Sequence, residues 1–150
     1  MTADDFNLDD IAGPLVEQLP DALIFADGEG TIHVWNAAAE RLFGFTRAEA
    51  LGANLDIIIP ERFREAHWRG FERALADKKT KYVGKSLPTR SHKKDGTDIV
   101  IEMSFAIIVA GGFAIGALAT ARDITERFEK ERADRKRMQE LESAKGGSAN

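Results

Sequence analysis

A chain of 150 residues, 43% hydrophobic and 31% charged, has the length and balance of one soluble globular domain and is too short for two ordinary ones. With 25 acidic against 21 basic residues the net charge is -4, which argues against nucleic acid or anionic lipid as a partner. Cysteine is absent, which excludes disulfides, thiolate nucleophiles, zinc-thiolate sites and any photochemistry that bonds a flavin to a thiol.

The N-terminus, MTADDFNLDD, has neither the basic start nor the apolar run of a signal peptide, so a cytoplasmic location is expected. Residues 8 to 19 place Leu8, Ile11, Leu15, Val16 and Leu19 on one helical face, with Gly13 and Pro14 interrupting the middle. DALIFADGEGTIHVWN reads as a hairpin, with strands over 22–26 and 31–35 about the turn DGEG. A short helix follows, capped by Asn36 and stopped at Gly44, and a second begins at Thr46 with Glu49 in capping-box position and Gly52 at its end. LDIIIP ends on Pro60, after which residues 61 to 76 form the longest helix inside the domain.

Three strands are expected over 80–89, 98–109 and 113–122, separated by the turn signals KKDGT and AGG. The nearly uncharged run 105–121 is short for a membrane span, and Gly111-Gly112 at its centre favours a buried hairpin. In the middle strand Ile99, Ile101, Met103, Phe105 and Ile107 share one apolar face, for which the 61–76 helix is the expected cover. The tail carries Ile124, Phe128, Met138 and Leu141 too sparsely for a self-sufficient coiled coil, and AKGGSAN is expected to be disordered.

Two strands, small helices, one longer helix and three more strands describe an α+β fold, a five-stranded antiparallel sheet with helices on one face. In LPDALIFADGEGTIHVWNAAAERLFGF, RAEALGANL, KKDGT and ARDITER, taken in this order and spacing, the sequence resembles a PAS domain over residues 12 to 127. The resemblance implies strand order 2-1-5-4-3, a helical cap over residues 1–20, a PAS domain over 21–123, and a charged signalling helix and tail over 124–150. It also implies a sensory or interaction module rather than an enzyme, able to form a homodimer and to signal by contact to a partner or fused effector that the sequence does not identify.

IIPERFREAHWRGFERAL followed by YVGKSLPTRSHKKDGT resembles the heme-binding PAS domains of rhizobial oxygen-sensor kinases, aligning with them from Pro60 to Thr97 without a gap. On that likeness His67 takes the place of the residue that ligates the iron of heme b. Arg73 and Lys81 fall where the propionates are met, and Tyr82, Met103 and Phe105 line the gas-binding side. Phe63, Phe71, Met103, Phe105 and Ile107 could supply apolar walls, and a neutral imidazole is a suitable iron ligand. Leu87 stands where the related sensors have arginine, so the charged donor is missing and CO or NO is favoured over oxygen. Tyr82 or Trp68 would then be the alternative donor.

Plainer readings stand beside these. On the plain reading His67 only decorates its helix, and His33 and His92 are expected to face solvent. Trp35 could stack on a flavin, though a tryptophan ending a strand is more often core. Turn chemistry accounts for Asp27 and Glu29, and a solvated helix face for Glu40. No nucleophile, base and orienter assemble, and GEG lacks the spacing of a phosphate cradle. The alternative to a heme sensor is a cofactor-free interaction module or a sensor of a small apolar metabolite.

Overall fold

The computed structural model describes residues 2 and 6–147. Helix α1 (Leu8–Gln18) opens on the cap Asn7, whose side chain accepts from Asp9 N, and it runs through Pro14 unbroken. The expected interruption therefore costs a hydrogen bond without ending the helix. Strands β1 (Ala22–Asp27) and β2 (Ile32–Trp35) pair antiparallel, and Asp27 Oδ1 accepts from Glu29 N and Thr31 N to close the turn between them.

Asn36 then caps α2 (Ala37–Phe43), which ends at Gly44 in the left-handed region, φ 82. Thr46 and Glu49 form the expected reciprocal capping box at α3 (Arg47–Ala50). The run LDII becomes one turn of 3-10 helix, Leu55–Ile58, ahead of α4 (Glu61–Asp77).

The strand expected over 80–89 is displaced. Residues 81–84 are turn, with Gly84 at φ 73, and β3 occupies Leu87–His92. Pro88 is tolerated there because β3 lies at the sheet edge. Strands β4 (Asp98–Ala110) and β5 (Phe113–Asp123) are joined through Gly111 and Gly112, both at positive φ as a tight hairpin requires. Among the described residues no helix is long and apolar enough to cross a membrane. Helix α5 (Thr125–Gly147) includes Ala144 to Gly147, which were expected to be disordered. The remainder of that expectation, residues 148–150, and part of the acidic N-terminus, residues 1 and 3–5, lie outside the described residues.

The strand order is β2-β1-β5-β4-β3, as expected. Since paired residues of neighbouring strands share a face, the register sets out rows: Leu87, Met103, Ala121 and Ala22; Phe105, Ala119 and Ile24; Ile107, Ala117 and Ala26. The middle strand β5 thus presents an alanine floor between larger side chains. Ile99 and Ile101 belong to one buried cluster with Trp35, Phe43 and Ile58, so α2 and the 3-10 turn cover the start of β4. Helix α4, the expected cover, approaches β5 instead and ends with Lys78 Nζ donating to Gly112 O at 2.7 Å, over the β4–β5 turn.

Candidate functional site

Helix α4 is held at its start by Arg64, whose Nε donates to Ile59 O at 3.0 Å and whose Nη2 donates to Asp56 O at 3.2 Å. One turn on, His67 is half-buried between Trp68, its ring centroid 4.7 Å away and nearly perpendicular, and Phe71, 6.0 Å away. Its Nδ1 is, among the described residues, the one buried side-chain nitrogen or oxygen without a hydrogen-bond partner. Burial pushes the His67 pKa below its ordinary value, and the nearby Asp56 carboxylate only partly opposes this. The ring is therefore neutral at physiological pH, with one nitrogen carrying the proton and the other a lone pair.

Trp68 is fixed at both ends. Its Nε1 donates to Asp56 Oδ1 at 2.8 Å, and its benzo edge lies against the backbone of Gly30, where a Cβ would come within 2.2 Å of the ring. With its N–H committed to Asp56, Trp68 is not a spare donor for a gas ligand. Neither Asp56 nor Gly30 was singled out from the sequence for this site. The glycine of DGEG carries only a turn signal, and nothing local in LDIIIP announces that Asp56 meets a residue twelve positions on.

The other candidate residues divide into groups. Tyr82 and Phe105 meet edge to face with centroids 5.9 Å apart, and Leu87 is the register partner of Met103. Ile107 lies on the same inner face beyond Phe105. Phe71 is buried beside His67, whereas Phe63 is at the surface, 38% exposed, with the Arg62 guanidinium 4.7 Å over its ring. Arg73 and Lys81 are exposed, and among the described residues neither is ion-paired with a carboxylate; Lys81 Nζ sits 5.1 Å over the Tyr82 ring.

His33 is exposed as expected, bonded to Asp27 Oδ2 at 2.7 Å. His92 corrects the expectation: it is half-buried and its Nε2 contacts Ile57 O at 2.9 Å, because the end of β3 packs beside the 3-10 turn. Trp35 is core, 1% exposed, packed on Phe43 and Phe45 and donating from Nε1 to Phe45 O. Glu40 is not merely solvated, since its carboxylate accepts from Arg47 N at 2.8 Å.

Two open clefts, of about 300 and 760 Å³, lie around Ala22, Ala121 and the start of α5, and His67 lines neither. Both are open clefts with ordinary surface chemistry, whereas His67 is the group with unspent bonding capacity. Among the described residues no three His, Asp or Glu side chains gather as a metal cage. A bare ion would find one protein ligand at His67. A metal carried in its own macrocycle needs only that one, so the donor set suits heme better than a free cation.

A family model described as the PAS fold matches residues 14–124. The chain is 32% identical over 131 residues to Sensor protein FixL of Bradyrhizobium diazoefficiens, covering 86% of this chain and 25% of that protein. It is 30% identical over 132 residues to Oxygen sensor protein DosP of Escherichia coli, covering 87% of this chain and 16% of that one. The chain thus spans a quarter or less of the length of these relatives. Among solved structures, the PAS domain of a Colwellia psychrerythraea protein matches with TM-score 0.70 at 24% identity, covering 80% of this chain and 99% of that one. An RNA-binding Light-Oxygen-Voltage receptor also matches with TM-score 0.70, at 23% identity, covering 91% and 37%; both likenesses show the fold.

Proposed function

The chain belongs to the PAS family, and on that footing we propose that it is a sensory domain that binds heme b through His67 and responds to a diatomic gas or to redox state. The observation that carries this reading is the neutral, half-buried imidazole whose ring is engaged in no hydrogen bond among the described residues, on a helix facing an apolar sheet, in a chain 30% identical to an oxygen sensor. Heme, when bound, supplies an iron that takes a small ligand or changes oxidation state.

The chain's own residues do the rest. His67 provides the protein ligand and Phe71 excludes water beside it. Arg73 and Lys81, free of carboxylate partners among the described residues, are cations available to the two propionates. Met103, Phe105, Ile107, Tyr82 and Leu87 supply apolar surface, and Leu87 offers no hydrogen bond to a ligand, which favours CO or NO over oxygen. No catalysis is assigned to the chain.

The route outward is α5. Thr125 Oγ1 accepts from Val100 N, Ile124 N donates to Val100 O, and Arg127 pairs with Glu102, which also accepts from Ser86. The helix is therefore rooted on β4, the strand that carries Met103 and Phe105, and a shift of that strand reaches it by contact. A homodimer would cover Leu8 and Leu15, 69% and 56% exposed on α1.

A cofactor-free module is the second reading. It is favoured by the closed contact of Tyr82 on Phe105, which requires no ligand to complete it. Titration of purified protein with hemin decides: a sharp Soret band saturating at one heme per chain, lost in His67→Ala and restored in His67→Gly by added imidazole, supports the heme reading. An identical spectrum in His67→Ala refutes it.

A further inference from the structure

A histidine that holds a metal is ordinarily oriented by a hydrogen bond from its second ring nitrogen to a carboxylate or carbonyl. His67 has no such bond on Nδ1, and no hydrogen bond of the ring is seen among the described residues. Its orientation must come from packing, and two rings supply it. Phe71 lies 6.0 Å away and inclined by 30°, while Trp68 stands at 82° with its centroid 4.7 Å away. Trp68 and Phe71 also meet each other edge to face at 5.2 Å, so the three rings form one interlocked group.

The two walls differ in how they are secured. Phe71 is held by burial, 9% exposed, whereas Trp68 is pinned by specific contacts to two other elements. Gly30 in the β1–β2 turn leaves no room behind the indole, its virtual Cβ lying 2.2 Å from Cη2 and 2.7 Å from Cζ3. At the opposite edge Nε1 donates to Asp56 Oδ1 at 2.8 Å. Asp56 is itself tied down: its N donates to Asn54 Oδ1 at 2.9 Å, its O accepts from Arg64, and the Arg64 Nε lies 3.9 Å from its carboxylate. An indole so constrained cannot swing to let the imidazole turn.

We infer that Trp68, anchored by Asp56, is the positioning residue for His67: the carboxylate of Asp56 fixes the indole, and the indole sets the plane of the imidazole. This deepens the heme reading and rests on it for its functional meaning, but the positioning itself is a property of the cofactor-free chain. Carboxylate control of the ligand histidine, direct elsewhere, is here passed through an aromatic ring.

The test uses the full chain in two states. In the cofactor-free protein, labelled at histidine, NMR scalar couplings of the His67 side chain should report one rotamer in wild type and averaged rotamers in Trp68→Leu and Asp56→Ala, while Asp56→Asn, which keeps an acceptor for the indole N–H, should restore the wild-type pattern. In the hemin-loaded protein, Trp68→Leu and Asp56→Ala should release hemin about tenfold or more faster, the scale of losing the support of a metal ligand, and should broaden the iron-histidine stretching band in resonance Raman spectra of the ferrous form. Should Trp68→Leu fail to fold, Asp56→Ala carries the same test with the indole retained.

A single wild-type rotamer and unaltered hemin release in Asp56→Ala and in Trp68→Leu, where it folds, would overturn the inference while leaving the heme reading intact. If wild type and His67→Ala take up hemin alike, the heme reading fails, and the couplings in the cofactor-free protein still decide whether Trp68 positions His67.

Discussion

Replacing Asn36 by alanine should cost the domain about 3 to 4 kcal/mol, a sum that can be built bond by bond. The side chain is 1% exposed and makes four hydrogen bonds. Oδ1 accepts from Ala39 N at 3.0 Å, the N-cap of α2, and capping residues are worth about 1 kcal/mol. The same oxygen accepts from the buried Leu23 N at 2.9 Å, and a buried amide left without a partner costs about 1 to 2 kcal/mol. Nδ2 donates to Val16 O and Asp21 O at 2.9 and 3.0 Å; these carbonyls are reached by water more easily, so each loss costs about 0.5 kcal/mol.

For a chain of this length that total lowers Tm by roughly 10 °C. Urea unfolding at 25 °C gives the free energy directly, and hydrogen exchange gives its location. Because the Nδ2 bond to Val16 O ties α1 to the domain alongside the Glu17–Arg47 ion pair, amides of residues 8–18 should lose protection before the sheet does. Asn36→Asp retains the acceptor and removes the donors, so it should leave the α2 cap formed while α1 loosens. A loss below about 1 kcal/mol in Asn36→Ala, or unchanged exchange in α1, would refute the idea that this amide helps to hold the leading helix on the domain.

Gly30 and Gly52 both sit at φ +84, but only Gly30 faces an obstacle, so Gly30→Ala should destabilise by about 2 kcal/mol more than Gly52→Ala, and equal losses in urea unfolding would deny the Trp68 contact. The Lys94 ammonium, followed by the Thr46 backbone N–H, holds the Glu49 carboxyl down to about 2 from 4.5; its stabilisation is complete above pH 4.5 and lost as pH falls toward 2, so Glu49→Gln should flatten the acid limb of a pH–Tm profile over that window. In hemin-loaded protein, Leu87→Arg should slow oxidation of the ferrous form in air, measured by stopped flow, provided thermal stability is retained; an unchanged rate would mean that the arginine turns to solvent. Light scattering should give about twice the monomer mass for wild type and the monomer mass for a Leu8→Glu, Leu15→Glu double variant, and a variant that remains dimeric would exclude α1 as the interface.

Much of the fold was legible locally because its signals are local. Asn36, Gly44, Thr46 and Glu49 occupy the caps read from their spacing, since a cap is made within a few residues of its helix. Gly111 and Gly112 turn where the β4–β5 hairpin must, since no other residue takes positive φ so freely. Period-two alternation in β4 predicted its apolar face, and the register of three strands puts Met103, Phe105 and Ile107 there.

Tertiary structure decided the rest. TKYVGKSL carries strand-forming residues, yet β3 begins only at Leu87, because residues 81–84 turn through Gly84 at φ 73 and the chain meets the edge of β4 only from Leu87, opposite Met103. His92 looked like a turn-flanking surface residue until the 3-10 turn, 35 positions away, brought Ile57 O against it. The same holds at His67. The sequence marked the residue and its helix, but the unpartnered nitrogen, the Trp68 wall, the Asp56 anchor and the Gly30 seat depend on three segments meeting, and contacts between distant segments leave no periodic trace in any one of them.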